Sequence, residues 1–266
     1  MEKNTNNIKP LFKFIFLGAL IGVFALHPLT MIIYWIEFHP PEALNISLFE
    51  FILEKMSAAF SPEMLLMTFM FSIIGVCLSL VFWAYHKKLS IKEKIIDFLS
   101  SELEKDIPSL IKRGETETLE FKSSVRWDFR QHKVNKALES VIVKTIAGFM
   151  NNKGGTLLIG LDDEGRPVGL EQDYNTLKKK NRDGYEQFII GLIASRLAAD
   201  LCLNITVMFQ NFESKEICRV IVSPSQRPVY CQEGNKTQLF LRTGGGTRDL
   251  NIKEATEYIA HHWPNR

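Results

Sequence analysis

Two stretches of this chain carry the residue types that metal-assisted cleavage of a phosphodiester requires. The first is Gly114-Glu115-Thr116-Glu117-Thr118-Leu119-Glu120-Phe121-Lys122, and the second runs from Asn151-Asn152-Lys153-Gly154-Gly155 to Asp162-Asp163-Glu164-Gly165. On a strand, Glu120 and Lys122 share one face while Leu119 and Phe121 share the other. A carboxylate and an ammonium so placed can hold a divalent cation and stabilise charge developing on phosphorus. An ordinary ion pair on a solvated sheet fits the same spacing, and periodicity does not separate the two readings. Glu115 stands in the loop entering the strand, and Asp162 and Asp163 close the next one. Glu115, Glu120 and Asp162 together would suit Mg²⁺ or Mn²⁺, with Lys122 beside them and Asp163 as the alternative third acid. For Asp162-Asp163-Glu164-Gly165 the competing reading is plain turn chemistry.

The elements that must position these residues follow from the hydrophobic pattern. Strands are expected at 119–123 and 156–162, the second apolar on both faces and therefore central. A helix over 134–150 carries Leu138, Val141, Ile142, Ile146 and Phe149 on one face. Asn151 to Gly155 reads as its left-handed cap. Pro167 to Leu170 reads as a short return strand, and 173–183 as a polar stretch centred on Lys178-Lys179-Lys180. A helix over 185–200, strands at 204–210, 216–222 and 238–242, and a helix over 252–263 complete one α+β domain, residues 114–266.

Cations gather in three places. Arg126, Arg130, Lys133 and Lys136 interleave with Trp127 and Phe129; Lys178, Lys179 and Lys180 follow; Arg242 and Arg248 flank a triple glycine. Basic groups beside aromatics suit a phosphate backbone with stacked bases, although each cluster alone is also what a solvated surface looks like. From His86 onward 28 Lys+Arg stand against 24 Asp+Glu, a mildly basic balance that permits a polyanionic partner. No G-x-x-x-x-G-K-[ST] occurs, and the glycines precede a strand instead of a helix, which excludes nucleoside triphosphate hydrolysis. The 4 cysteines form no C-x-x-C pair, so a structural zinc site is not expected.

The N-terminal third differs in kind. Residues 14–36 and 64–85 carry no charge, and each run exceeds the roughly 20 residues that cross a bilayer core. Lys3, Lys9 and Lys13 precede the first run and Lys87, Lys88, Lys92 and Lys94 follow the second. The loop 37–63 between them holds Glu37, Glu42, Glu50, Glu54 and Glu63 against Lys55. The positive-inside rule then places both termini in the cytoplasm, on a two-helix hairpin in the cytoplasmic membrane. His27-Pro28 predicts a kink in the first span. Residues 87–113 read as a helical connector that Pro108 breaks.

Glu115-x4-Glu120-Phe121-Lys122, Ile146 to Asn151 leading into Gly154 to Asp163, Arg227-Pro228-Val229-Tyr230, and Phe240 to Gly244 with Thr247-Arg248 resemble the Schlafen-type Alba-like domain. The resemblance covers residues 107–262 and implies an α+β nucleic-acid-binding domain. In some members this is a metal-dependent endoribonuclease acting on structured RNA such as tRNA, with a three-carboxylate site. That implies Glu115, Glu120 and one of Asp162 or Asp163 as the acids, Mg or Mn as the metal, and RNA before DNA as the partner. Nuclease members carry two lobes and a zinc site. Here there is one lobe and no zinc-ligand set, so a full cradle requires a homodimer. A non-catalytic DNA- or RNA-binding regulatory module and a membrane-bound self-association module are the alternatives.

Overall fold

The computed structural model describes residues 5–38, 50, 53, 54, 56, 57 and 60–263. Lys3 and most of the loop expected at 37–63 lie outside these. The chain divides into two units, 1–94 and 95–266, within the expected helical connector.

In the first unit, α1 (Thr5–Ile21), a π-helical turn (Gly22–Leu26) and α2 (His27–Phe38) follow one another without a break. At the position where a kink is expected the structure has a π turn: the His27 N–H reaches back to the Gly22 carbonyl, immediately before Pro28. Then comes α3 (Leu65–Leu103). The two helical stretches 10–38 and 65–103 are long and apolar enough to cross a membrane. They pack on small residues. A Cβ at Gly22 would stand 2.1 Å from the Phe71 carbonyl oxygen, and one at Gly75 2.1 Å from that of Gly18. Close backbone approach of this kind is how helices associate where apolar burial gives no preference for a partner helix over lipid. Ser79 Oγ adds a hydrogen bond to the Phe14 carbonyl at 2.6 Å.

In the second unit, Asp106 caps α4 (Ile107–Arg113), its side chain accepting from the Ser109 N–H at 3.0 Å. Pro108 stands in the first turn, where its missing N–H costs nothing. It therefore opens α4 and does not break the connector; the break falls at Glu104–Asp106. Strands β1 (Leu119–Lys122) and β4 (Gly155–Ile159) pair in parallel, with Glu120 opposite Leu157. Strands β5 (Ile205–Phe212) and β6 (Lys215–Val222) complete a mixed sheet in the order β1-β4-β6-β5. A short hairpin joins β2 (Trp127–Asp128) to β3 (Lys133–Val134), and β7 (Tyr230–Glu233), β8 (Lys236–Thr243) and β9 (Gly246–Leu250) form a third, antiparallel sheet. Helix α5 (Lys136–Met150) lies against the large sheet and β8. Its Ile142, Ile146 and Phe149 join Leu157, Val220 and Phe240 in the main core. The other face of the sheet buries Leu119, Phe121 and Leu158 beneath Ile107 and Leu110 of α4. Short α6 (Glu171–Asn175), α7 (Arg182–Arg196) and α8 (Ile252–His262) close the domain.

Two expectations change here. Pro167 to Leu170 forms no strand; a single bridge joins Leu161 to Pro167. The left-handed cap expected over Asn151 to Gly155 forms, but not at Asn151. Asn151 keeps helical backbone angles, and the positive φ falls at Gly154. The Asn151 side chain instead turns into the core, where Nδ2 donates to the carbonyls of Val229 and Phe240 at 2.8 and 2.9 Å. Its Oδ1 accepts from the Val229 N–H at 2.8 Å. One amide thus ties the end of α5 to β8 and to the segment entering β7.

Gly75→Leu forces the two long apolar helices apart. Overpacking of this kind costs roughly 1–3 kcal/mol, so the full chain in detergent should melt at lower temperature; an unchanged melt would show that the close approach does not hold the pair together.

Candidate nucleic-acid interface

The hairpin β2–β3 is held from beneath by one buried carboxylate. Asp173, 2% exposed, accepts from Ser124 Oγ at 2.5 Å, from the N–H groups of Val125, Arg126 and Trp127 at 2.8, 3.3 and 3.1 Å, and from Tyr185 Oη at 2.9 Å. A carboxylate buried with this many donors is compensated by them and fixes the backbone that carries them. Burial, first, and the facing Asp173 charge push the Tyr185 phenol well above its ordinary value, so it stays a donor. Next along, Asp128 Oδ1 accepts from the N–H groups of Arg130 and Gln131, both at 3.0 Å, and shapes the hairpin tip. Asn135 returns its N–H to the Arg126 carbonyl and caps α5 through the Ala137 N–H. Hairpin and helix start are therefore one construction. It presents Arg130, Lys133 and Lys136 as exposed cations around Trp127 and Phe129.

Beside it runs a groove of about 560 Å³, lined by Trp127, Phe129 and Arg130 of the hairpin, Leu138 and Val141 of α5, and Lys122, Asp162 and Asp163 from the ends of β1 and β4.

The acids expected to ligate a metal are arranged differently. Glu115 Oε1 accepts the Phe121 N–H at 2.9 Å and lies 3.8 Å from Lys122 Nζ. Lys122 Nζ stands 2.5 Å from Glu120 Oε1, and Arg242 Nη2 pairs with Glu120 Oε2 at 2.8 Å. Glu115, Glu120 and Lys122 thus do come together. Asp162 does not join them: it accepts from the N–H groups of Glu164 and Arg166 and pairs with Arg166 Nε at 2.7 Å. Desolvation pushes its carboxyl up, but the Arg166 guanidinium and these hydrogen bonds together hold it below the ordinary range. Asp163 is exposed on the same turn. Among the described residues no three His, Cys, Asp or Glu side chains group so as to hold a metal ion. The residues present therefore do not fit the Mg or Mn site expected from Glu115, Glu120 and Asp162. The physical reason is that the Glu120 face of β1 is roofed by β8, whose arginine already occupies the carboxylate.

Two expected phosphate-binding cations are corrected by the same packing. Arg242 is 2% exposed, bonds the Thr116 carbonyl at 2.7 Å and lies over the Phe149 ring. Arg126 pairs with Glu139 at 3.2 Å and stacks on Phe188. Lys179 pairs with Asp183, and Arg248 lies 3.5 Å from Glu254, both on the surface. Lys178 and Lys180 are exposed. Sequence reasoning missed Asp173 and the inward role of Asn151. Asp173 opens a stretch that reads as solvated, and no local spacing distinguishes it from the acids around it.

The model of the family "Schlafen, AlbA_2" matches residues 115–251. No curated protein sequence matches. Among solved structures, the DIP2311 protein of Corynebacterium diphtheriae is similar at 17% identity, covering 64% of this chain and 32% of that one, with a TM-score of 0.41. This chain therefore spans about a third of that protein's length. The N-terminal domain of a RecG-related protein from Nitrosomonas europaea is similar at 20% identity, covering 56% of this chain and 94% of that domain, with a TM-score of 0.35.

Asp173→Ala strands the Val125 N–H and two hydroxyls in the interior and leaves the Arg126 and Trp127 N–H groups with Ser124 Oγ as their acceptor, at 2.9 and 2.5 Å. At roughly 1–3 kcal/mol for each buried group left unpaired, the domain should lose several kcal/mol, and the amides of Val125 and Trp127 should exchange faster with solvent. Unchanged exchange at those amides would mean that Asp173 does not set the hairpin.

Proposed function

The chain belongs to the Schlafen, AlbA_2 family, which suggests a nucleic-acid-related function, and from that premise we propose that it is a membrane-attached nucleic-acid-binding protein that grips RNA, before DNA, on the β2–β3 hairpin. The observation that carries the reading is the exposed set Arg130, Lys133 and Lys136 around Trp127 and Phe129 on a rigid base, with Lys178 and Lys180 as further exposed cations. Cations take the phosphates and aromatic rings take bases, with little demand on sequence. Attachment is supported by helices 10–38 and 65–103, whose apolar surface stands uncovered: Leu66 is 76% and Val81 69% exposed. Lipid is the medium in which such a surface is stable. The lysines flanking both spans support a cytoplasmic-membrane location with the domain inside. A homodimer would set two hairpins side by side on one membrane at high effective concentration.

Endoribonuclease chemistry on tRNA is not part of this reading. Glu120 is neutralised by Lys122 and Arg242, and Asp162 is spent on its own turn. These acids act as structural ions, which leaves a binding, regulatory module.

Full-length protein in detergent should bind tRNA with an affinity that falls steeply with salt, and Lys133→Ala/Lys136→Ala should lower the log–log salt slope by about 2. A flat salt response in the unaltered protein would overturn the reading. Incubation with Mn²⁺ should leave the tRNA whole; metal-dependent cleavage abolished by Glu120→Gln would return the carboxylates to catalysis.

A further inference from the structure

The groove beside the hairpin has a chemistry that the phosphate-binding surface does not explain. Its volume of about 560 Å³ lies within the roughly 300–1,000 Å³ of small-ligand sites. Trp127 and Phe129 give it aromatic lining, Leu138 and Val141 aliphatic lining, and Lys122 and Arg130 cationic lining. Asp162, Asp163 and Glu164, on the turn after β4, make part of its rim acidic. A phosphodiester backbone is repelled from such a rim, whereas a nucleobase is not: its flat faces suit the apolar lining and its N–H groups suit carboxylate acceptors. Of the three acids, Asp162 and Glu164 are already bonded to Arg166. Asp163 is exposed and makes none of the side-chain hydrogen bonds that hold this turn, so both its oxygens remain acceptors for a ligand.

Resting on the nucleic-acid reading above, we propose that this groove takes one unpaired guanine of a single-stranded or looped RNA, stacked against Trp127 and Phe129 and read by Asp163. Guanine presents two adjacent donors, N1–H and the N2 amino group, on its Watson–Crick edge, and a carboxylate accepts both in one bidentate contact. Uracil offers a single donor there, and adenine and cytosine offer one amino group beside a ring acceptor that the carboxylate repels. In a duplex the guanine edge is occupied by cytosine, so pairing conceals it. The flanking phosphates then fall to Arg130, which lines the groove, and to Lys133 and Lys136 outside it. Division of labour between cations that position and a carboxylate that discriminates is what separates affinity from specificity in nucleic-acid recognition.

The test uses full-length protein in detergent and fluorescein-labelled RNA, by anisotropy: a decamer of uridine, the same decamer with one central guanosine, and a hairpin in which that guanosine is paired. The guanosine decamer should bind about tenfold tighter than the uridine decamer, and the hairpin should lose that advantage. Asp163→Ala, on an exposed turn remote from the core, should bring the guanosine preference to within about twofold while uridine affinity holds. Trp127→Ala should weaken both decamers. Equal binding of the two decamers, or a guanosine preference that survives Asp163→Ala, overturns the pocket while leaving nucleic-acid binding in place. Absence of salt-sensitive binding to any of the three would overturn the underlying reading instead.

Discussion

The structure of the candidate interface depends on one buried charge. Asp173 sits in α6, far along the chain from the hairpin it supports, yet its two oxygens collect three backbone N–H groups, a serine hydroxyl and a tyrosine hydroxyl. Desolvating a carboxylate is costly unless donors replace the lost water, and here they do. What results is directional: the chain leaving β1 is bent at Ser124 so that Trp127 enters β2 facing Val134. A hairpin of two residues per strand has little stability of its own. It holds its shape because its root is bonded to Asp173 and its far end is continuous with the capped start of α5.

A second buried charge decides the chemistry. Glu120 lies on the face of β1 that α5 and β8 cover, so its carboxylate needs partners, and Lys122 and Arg242 supply them. Arg242 reaches Glu120, the Thr116 carbonyl and the Phe149 ring together, and so links the third sheet to the edge of the first. Removing Glu120 would leave the buried Arg242 guanidinium without its carboxylate, which is why such pairs persist irrespective of catalysis. A carboxylate held in this way already has its charge matched by two protein cations.

The same logic orders the surface. Arg126 and Arg242, each with a carboxylate and an aromatic ring within reach, are folded into the scaffold; the cations around the hairpin tip are exposed. The groove beside the hairpin is lined by charge of both signs, Lys122 and Arg130 with Asp162, Asp163 and Glu164. The proposed ligand, with an anionic backbone and a neutral, donor-bearing base, matches that mixture.

Much of this was legible in the amino-acid sequence because it is local. Alternation gave β1 with Leu119 and Phe121 inward; the apolar run of 156–159 gave a central strand; helical periodicity placed α5, α7 and α8; and uncharged runs marked two helices of membrane-spanning length. What the sequence left open is set by contacts between distant residues. It could show that Glu120 and Lys122 share a face, but not that β8 roofs that face. It identified Arg242 and Arg126 as basic, but charge type does not record burial, and both became internal partners of Glu120 and Glu139. It could not single out Asp173 or the inward Asn151, because a lone polar residue becomes structural only where tertiary packing removes its water and supplies its hydrogen-bond partners.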